Sequence, residues 1–435
     1  MLTSLTYLEQ DVSGNAAFRI QVPASDVRTP AHFLALLDVS ESMMDQDKLI
    51  NVKRCMSLLL KFLSPADMLS IVTFGEESKI IVKGVKAEPS AIHMLEQAID
   101  SLITKGSTNL SAGLTSIREI MGEHGESHLK SSLLVLTDGH ANRGAFSPNE
   151  LQAIIKRLRE LFPMLSMSFI AYGTDHNADL MKVFAEETLG SYSIVKSLED
   201  AALTMGNALG GAISCVAQNV TVQVPEGTTV EGPFKVVKNR IELGDIFTGS
   251  EKLILLKKPD GPVHLSGITL PDLERFHKEV THITTDISRN AEIELTRLRY
   301  ECARLFQAMR SGNRVDLTAF RTSLADPFLA GNPVTEMLHA ELTSLETAQQ
   351  DVTLRGMSHD IYAQLAQHEI FTSTGGGTSS GIVNRTVRFD TTTCDPLTPS
   401  ASPQANDDAS NQTPLVGRVQ RQVANLMRLA SHTPT

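Results

Sequence analysis

Asp38, Ser40 and Ser42 in AHFLALLDVSESMM, Thr108 in KGSTNLSAGL and Asp138 in SSLLVLTDGHANRG are oxygen-bearing residues of the types that suit one hard divalent cation. The set carries two formal negative charges and contains no His or Cys. Such donors match Mg²⁺, Mn²⁺ or Ca²⁺ and argue against zinc, copper or an iron–sulfur cluster. Magnesium takes about six ligands in near-octahedral geometry and usually keeps several waters. A shell built partly from hydroxyls leaves the ion electron-poor with an exchangeable position, which a carboxylate from a partner protein could fill. Each residue also has an ordinary use. Ser40 or Ser42 could cap a helix beginning near Asp45, and Asp138 with Gly139 could form a simple turn. Taken together, those uses leave unexplained why three separated loops all present oxygen atoms at strand ends.

The elements that must position these residues can be read around them. The apolar run AHFLALL before Asp38 is too short for a membrane span and has the length of a buried parallel strand. The carboxyl edge of such a strand is where open α/β sheets bind ligands. Next, KLINVKRCMSLLLKFL places Leu49, Val52, Met56, Leu59, Leu60 and Leu63 at helical spacing, and Pro65 closes the helix. MLSIVTFG reads as a buried strand with SKIIVKG as an edge strand beside it. Helices follow at about 90–103 and 110–122, then the strand SLLVLT, a helix at about 148–161 and the strand MLSMSFIAYG. Strands alternating with amphipathic helices predict an α/β fold with a doubly wound, mostly parallel sheet. Thr108 then lies at a helix amino terminus, where backbone N–H groups favour an anion.

In order, D-x-S-x-S after a strand, a threonine in a G-S-T-N-L loop and T-D-G after a second strand resemble the metal-ion-dependent adhesion site of von Willebrand factor type A domains, over roughly residues 28 to 200. The resemblance implies a Rossmann-like fold in which Asp38, Ser40, Ser42, Thr108 and Asp138 coordinate Mg²⁺, Mn²⁺ or Ca²⁺, some of them through water. It also implies a non-enzymatic adhesion or scaffold module that binds an Asp or Glu of a protein partner through the ion. The loops around the site, with Met43, Gly75 and residues 140–143, would choose the partner.

Beyond residue 215 the rhythm changes. NVTVQVPEG, FKVVKN, RIELGDI and EKLILLKK are short strands with turn residues between them, which predicts a small antiparallel β unit over 216–270. NAAFRIQVPA, within residues 1–27, has the same alternation and is expected to pair with that unit, making the 28–215 domain an insertion in a β-sandwich. Residues 271–372 are expected to be helical. Their first helix is read from EVTHITTDISRNAEIELTRLRYECARLFQAMRSG, with Leu295, Leu298, Leu305, Phe306 and Met309 as bundle core. TSTGGGTSSG opens a flexible linker over 373–413. The segment 414–435 follows as an amphipathic peptide with Val416, Val419, Val423, Leu426 and Met427 on one face. It could pack on its own domain, on a partner, or on a membrane surface. This layout resembles intracellular proteins that carry a type A domain beside a ubiquitin-ligase RING or U-box, or beside a self-splicing Hint module. No RING ligand set or Hint nucleophile motif is found here, so one alternative is a substrate-recognition subunit whose ligase module sits on another chain.

Composition bounds the remaining choices. The 435 residues are 41% hydrophobic, enough for two or three cores, and the net charge of −11 shows no basic block of the kind a nucleic-acid surface needs. Cys55, Cys215, Cys302 and Cys394 lie far apart, as reduced thiols of a cytoplasmic protein would. The amino terminus lacks the charged and apolar regions of a secretory signal, and no apolar run reaches transmembrane length. Sequons at Asn109, Asn219, Asn384 and Asn411 are read as chance. Catalytic motifs find little footing: residues 106–113 lack the lysine of a P-loop, and D-V-S lacks the second aspartate of a phosphatase D-x-D. A metal-dependent hydrolase using His140 as a base is the remaining enzymatic alternative.

Overall fold

Two strands that are buried at every position set the central sheet. β3 (Ala31–Asp38) and β6 (Lys130–Thr137) are apolar on both faces and pair in parallel, as strands covered by helices on both sides must be. In the computed structural model, which describes residues 6–355 apart from 11–14, 24–27, 125–128, 173–176, 189–190, 196–197, 233, 235 and 285–289, four more strands extend this pair. β4 (Met68–Phe74) flanks β3 in parallel, and β5 (Ser78–Lys86) closes that edge antiparallel. β7 (Leu165–Tyr172) and β8 (Ser191–Val195) follow β6 in parallel, giving the order β5-β4-β3-β6-β7-β8. The chain winds outward from β3 to β4 and then returns to β6 on the other side. The direction of winding therefore reverses between β3 and β6, and ligands of open α/β sheets bind outside the carboxyl ends of such a pair.

Alternate residues of β3 feed two separate cores. Phe33, Ala35 and Leu37 face Val52, Cys55, Met56 and Leu59 of α1 (Lys48–Phe62), with Leu95 and Ile99 of α2 (Pro89–Asp100) and Leu209 and Ile213 of α6 (Leu198–Ser214) in the same layer. Leu34 and Leu36 face Leu114 and Ile117 of α3 (Leu110–His124). Ile155 of α4 (Pro148–Leu161) and Phe184 of α5 (Ala178–Thr188) complete that side. α4 starts where the sequence marks it: Ser147 and Glu150 form a reciprocal capping box with Pro148 in the first turn. α3 lies so close to the sheet that a Cβ on Gly113 would come within 2.7 Å of Leu36 Cδ1 and 3.2 Å of Phe74 Cβ. That close seat fixes the loop carrying Thr108 over the ends of β3 and β4.

The amino-terminal strands belong to a different layer. β1 (Thr6–Gln10) and β2 (Asn15–Gln21) join β10 (Thr229–Glu231), β13 (Glu251–Lys257) and β16 (Thr281–Thr284) in the order β10-β13-β2-β1-β16. β2 pairs antiparallel with β13, Phe18 opposite Ile254, while β1 and β16 are parallel. A second sheet has the order β11-β12-β9-β14-β15, formed from β9 (Cys215–Gln223), β11 (Val236–Val237), β12 (Arg240–Phe247), β14 (His264–Thr269) and β15 (Arg275–Glu279). Phe18, Ile20 and Leu256 of one sheet pack with Val220, Val222, Ile241 and Leu265 of the other, so the two form a sandwich. Where the chain leaves the sandwich and returns to it, Thr29 N–H donates to Ile213 O at 3.0 Å and Thr29 Oγ1 to Cys215 O at 2.9 Å. A second tie is an ion pair: the buried Lys130 Nζ, at the start of β6, donates to Oδ2 of the half-buried Asp245 of β12 at 2.8 Å.

One expectation is overturned. The helix read from EVTHITTD onward does not begin there, because residues 275–284 form β15 and β16, and the β unit runs past residue 270. The β-branched residues of VTHIT favour the pleated conformation, in which alternate side chains face opposite ways. α7 (Ala291–Arg310) starts only after Asn290, whose side chain accepts from the N–H groups of Glu292 and Ile293. Its Leu295, Leu298, Leu305, Phe306 and Met309 are buried with Phe320 of α8 (Thr318–Leu324) and Leu338 and Leu345 of α9 (Pro333–Arg355), as bundle core. Ile293 also packs on Ala17 and Leu255, and Arg19 of β2 is held by Glu9, Glu251 and Glu292, fastening α7 to the sandwich. The end of the expected helical region beyond residue 355, the linker, Cys394 and the amphipathic peptide lie outside the described residues. Cys55, Cys215 and Cys302 are buried free thiols. Among the described residues no helix is long and apolar enough to cross a membrane.

Candidate functional site

β3 ends at Asp38 and β6 at Thr137, so Asp38 and Asp138 stand side by side where the winding reverses. Both are fully buried. Asp38 Oδ1 accepts the Ser40 N–H at 2.9 Å, and Asp38 Oδ2 accepts the Thr137 hydroxyl at 2.6 Å. Thr137 Oγ1 in turn accepts the Gly139 N–H at 2.9 Å, tying the two strand ends together. The hydroxyls of Ser40 and Ser42 are 3.1 Å apart. Ser40 occupies the N-cap position of a 3₁₀ turn over Glu41–Asp47, yet its side chain makes no capping bond. The ordinary capping use of that serine is therefore not what the fold makes of it.

Thr108 reaches the same place from the third loop. It is buried, its N–H donates to Asn142 Oδ1 at 2.9 Å, and its carbonyl accepts from Asn142 N and Arg143 N at 3.0 and 3.2 Å. Asn142 thus lashes the Thr108 loop to the Asp138 loop. Lys105 N donates to Val39 O at 2.6 Å and Glu41 N to Gly106 O at 3.0 Å, which fastens the Thr108 loop to the Asp38 loop as well. All five residues singled out from the sequence are gathered by these ties.

Charge is the other half of the site. Burial pushes the Asp38 carboxyl up to about 6, with the neighbouring negative charge of Asp138 acting in the same direction, against hydrogen bonds from Ser40 and Thr137 that favour ionisation. Burial first, and the neighbouring carboxylate after it, disfavour the charged form of Asp38, and a cation bound beside it would favour that form. The residues present therefore fit a hard dication. Among the described residues no group of three or more His, Cys, Asp or Glu is placed to hold a metal, so an ion here must draw on the hydroxyls as well as the two carboxylates.

Sequence reasoning missed three participants. Thr137 and Asn142 look like an ordinary strand end and an ordinary loop residue. Lys48 reads as a surface position of α1, but it is 4% exposed and its Nζ lies 3.2 Å from Asp138 Oδ2. Two residues assigned to partner choice are also corrected. Met43 is fully buried in the core under α1, and its neighbour Met44 is the exposed one at 67%. Gly75 is buried as well. A Cβ there would come within 2.7 Å of Lys105 O, so this glycine serves the close passage of the Thr108 loop. Residues 140, 142 and 143 are exposed, as is Phe146.

A doubly wound sheet with three loops brought together at its winding reversal defines a Rossmann-like α/β domain. Residues 32–194 match the family model for the von Willebrand factor type A domain, so the chain carries a von Willebrand factor type A domain over that stretch. It is similar to the uncharacterized protein YfbK of Escherichia coli (strain K12), 27% identical over 219 residues that make up 50% of this chain and 36% of YfbK. It is also similar to the E3 ubiquitin-protein ligase WAV3 of Arabidopsis thaliana, 22% identical over 246 residues, 53% of this chain and 31% of WAV3. The chain thus spans about a third of the length of these relatives. Among solved structures, a von Willebrand factor type A protein from Catenulispora acidiphila superposes with a TM-score of 0.57 at 13% identity, covering 86% of this chain and 98% of that one. Coverage of that extent carries the likeness of fold beyond residues 32–194.

Proposed function

We propose that the protein is a metal-dependent protein-interaction module in which Asp38, Ser40, Ser42, Thr108 and Asp138 hold a divalent cation, Mg²⁺, Mn²⁺ or Ca²⁺, that binds an Asp or Glu of a partner protein. The observation that carries this reading is the gathering of three loops around two buried carboxylates, with Asp38 pushed up to about 6 by burial. When bound, the ion would supply a Lewis-acidic position to which an incoming carboxylate bonds. The chain's own part is to hold the oxygens. Thr137 and Asn142 fix the loops relative to one another, and exposed Met44, Asn142, Arg143 and Phe146 on those loops would meet the partner. The family match supports a binding module over a catalyst.

The test is calorimetric titration of Mg²⁺ and Mn²⁺ into wild type and Thr108→Ala, followed by partner capture with and without chelator. Saturable binding that the substitution weakens, and capture that chelator abolishes, are expected. Capture that persists in excess chelator and in Thr108→Ala would refute the metal bridge. The likeness to WAV3 favours a second reading, in which the partner belongs to a ubiquitin-ligase assembly. Copurification of ligase activity with the tagged chain, lost in Thr108→Ala, is its test.

A further inference from the structure

One charged pair on the rim of the site is not needed to hold the site together. Among the described residues Glu76 is the charged partner of Arg143, and the two side chains are 48% and 53% exposed. The loops that carry them are already fastened to the Thr108 loop, by Asn142 N and Arg143 N on Thr108 O and by Asn109 N on Gly75 O at 2.8 Å. An exposed pair adds little to such ties. Both residues are nevertheless placed over that loop. Arg143 starts beside Thr108, its N 3.2 Å from the Thr108 carbonyl. Glu76 lies on Gly106, where a Cβ would come within 3.1 Å of Glu76 Cβ and 3.4 Å of Glu76 Oε2. Gly106 also has a φ of +73°, so a glycine lets the loop pass beneath the glutamate. The pair thus arches across residues 106–108, next to the Thr108 hydroxyl.

A guanidinium offers a fork of donors suited to a carboxylate. A carboxylate that gives one oxygen to an ion keeps the other free to accept from such a fork. An anion free in solution gains little by replacing Glu76, because one carboxylate is exchanged for another. An anion already anchored on the ion competes at the high effective concentration of a tethered group. We propose that Arg143 binds the partner's carboxylate beside the ion, and that Glu76 occupies Arg143 until an anchored carboxylate displaces it. The inference rests on the metal-bridge reading and deepens it. Glu76 acts through Arg143, as a positioning residue. The exchange favours a partner carboxylate over a hydroxyl or amide oxygen, which would leave Arg143 with Glu76.

The full chain, saturated with MnCl₂, is titrated with sodium acetate as wild type, Arg143→Ala, Glu76→Gln and Glu76→Gln/Arg143→Ala. The ionic strength is fixed and high, so that charges not in contact are screened. Acetate binding is read from the water-proton relaxation of the bound Mn²⁺, and Mn²⁺ affinity is measured separately by calorimetry. Arg143→Ala should weaken acetate binding about threefold and Glu76→Gln should tighten it about threefold, the scale of an exposed charge pair. The double variant should match Arg143→Ala, since Glu76 has nothing to withhold once Arg143 is gone. A Glu76→Gln gain that persists without Arg143 overturns the exchange, because Glu76 then acts by its charge alone. Arg143→Ala that binds acetate as wild type does, or wild type that binds Mn²⁺ and no acetate, overturns the inference and leaves cation binding standing. Wild type that binds no Mn²⁺ overturns the metal-bridge reading, and the inference with it.

Discussion

Strand β6 meets a lysine–aspartate pair at each end, and the two pairs are built differently. At its first residue, Lys130 donates to Asp245 at 2.8 Å, and Asp245 also accepts from Ser166 Oγ at 2.5 Å and Gln218 Nε2 at 3.2 Å. Just beyond its last residue, Asp138 accepts from Lys48 at 3.2 Å and, at 3.5 Å, from the backbone of His140. The first carboxylate is crowded with short donors from two layers of the molecule, and it joins the inserted domain to the sandwich. The second is held at arm's length. The same residue types on one strand thus give a joint where the hydrogen-bonding capacity is filled and a candidate site where it is left over.

That contrast can be broken most visibly at the joint. Lys130→Met leaves Asp245 without its cation and should cost about 2–3 kcal/mol, less than the breaking of a fully buried pair because the Asp245 side chain keeps 20% exposure to water, measured by urea denaturation. At the other end, Asp38→Asn removes the charge that burial disfavours and keeps one oxygen for the Ser40 N–H, while the Thr137 hydroxyl must turn its proton away from the new NH₂ group. The substitution should change stability by no more than about 1 kcal/mol and still abolish Mn²⁺ binding in calorimetry. Equal destabilisation by the two substitutions would erase the distinction.

Acid should sharpen the distinction by a smaller amount. Burial alone would raise the Asp245 carboxyl, but Lys130 and the hydrogen bonds from Ser166 and Gln218 outweigh it and hold the carboxyl below its ordinary value. Burial alone would lower the Lys130 ammonium, but Asp245 outweighs it and holds it above its ordinary value. The stabilisation from Asp245 is therefore complete above its unfolded pKa of about 3.9 and is lost as pH falls through the depressed folded value. That from Lys130 is complete below about 10.4 and is lost as pH rises through the raised one. Urea midpoints taken between pH 5 and pH 2 should fall more steeply for wild type than for Lys130→Met. Parallel curves would remove the pair from the account. The smallest effect is expected from Arg143→Ala, which removes an exposed ion pair with Glu76 across two site loops. Surface pairs contribute little, so the urea midpoint should not move, and any effect should appear in binding alone.

How much of this was legible depends on whether the signal was local. Asp38, Ser40, Ser42 and Asp138 could be read as candidates because each follows a strand whose apolar run announces itself, and Thr108 because its G-S-T-N-L loop opens a helix. Alternation in NAAFRIQ was enough to expect its pairing, and β2 lies against β13. Val280, Ile283 and Ile287 are spaced for a helix and not for one face of a strand, and only the β-branched neighbours and Asn290 argue against that reading. Lys48 could not be read at all. Its nearness to Asp138 depends on how α1 sits on the sheet, a matter of packing between Val52, Met56 and β3 that no local pattern records. Met43 and Met44 differ only in which way one turn of 3₁₀ helix points them.

The two hydrogen bonds from Thr29 carry a kinetic consequence. β2 must find β13 across the whole inserted domain, and closing so long a loop in a disordered chain is slow. Thr29 joined to Ile213 and Cys215 places the two ends of the insert next to each other, so the folded insert shortens that loop to its connecting segments. Folding then has a required order, with the inserted sheet first and the sandwich last. Pulsed hydrogen exchange should find the amides of β3 and β6 protected before those of β2 and β13. Until the insert has closed, β2 and β13 wait as unpaired edges, and that interval is when the chain is most exposed to aggregation.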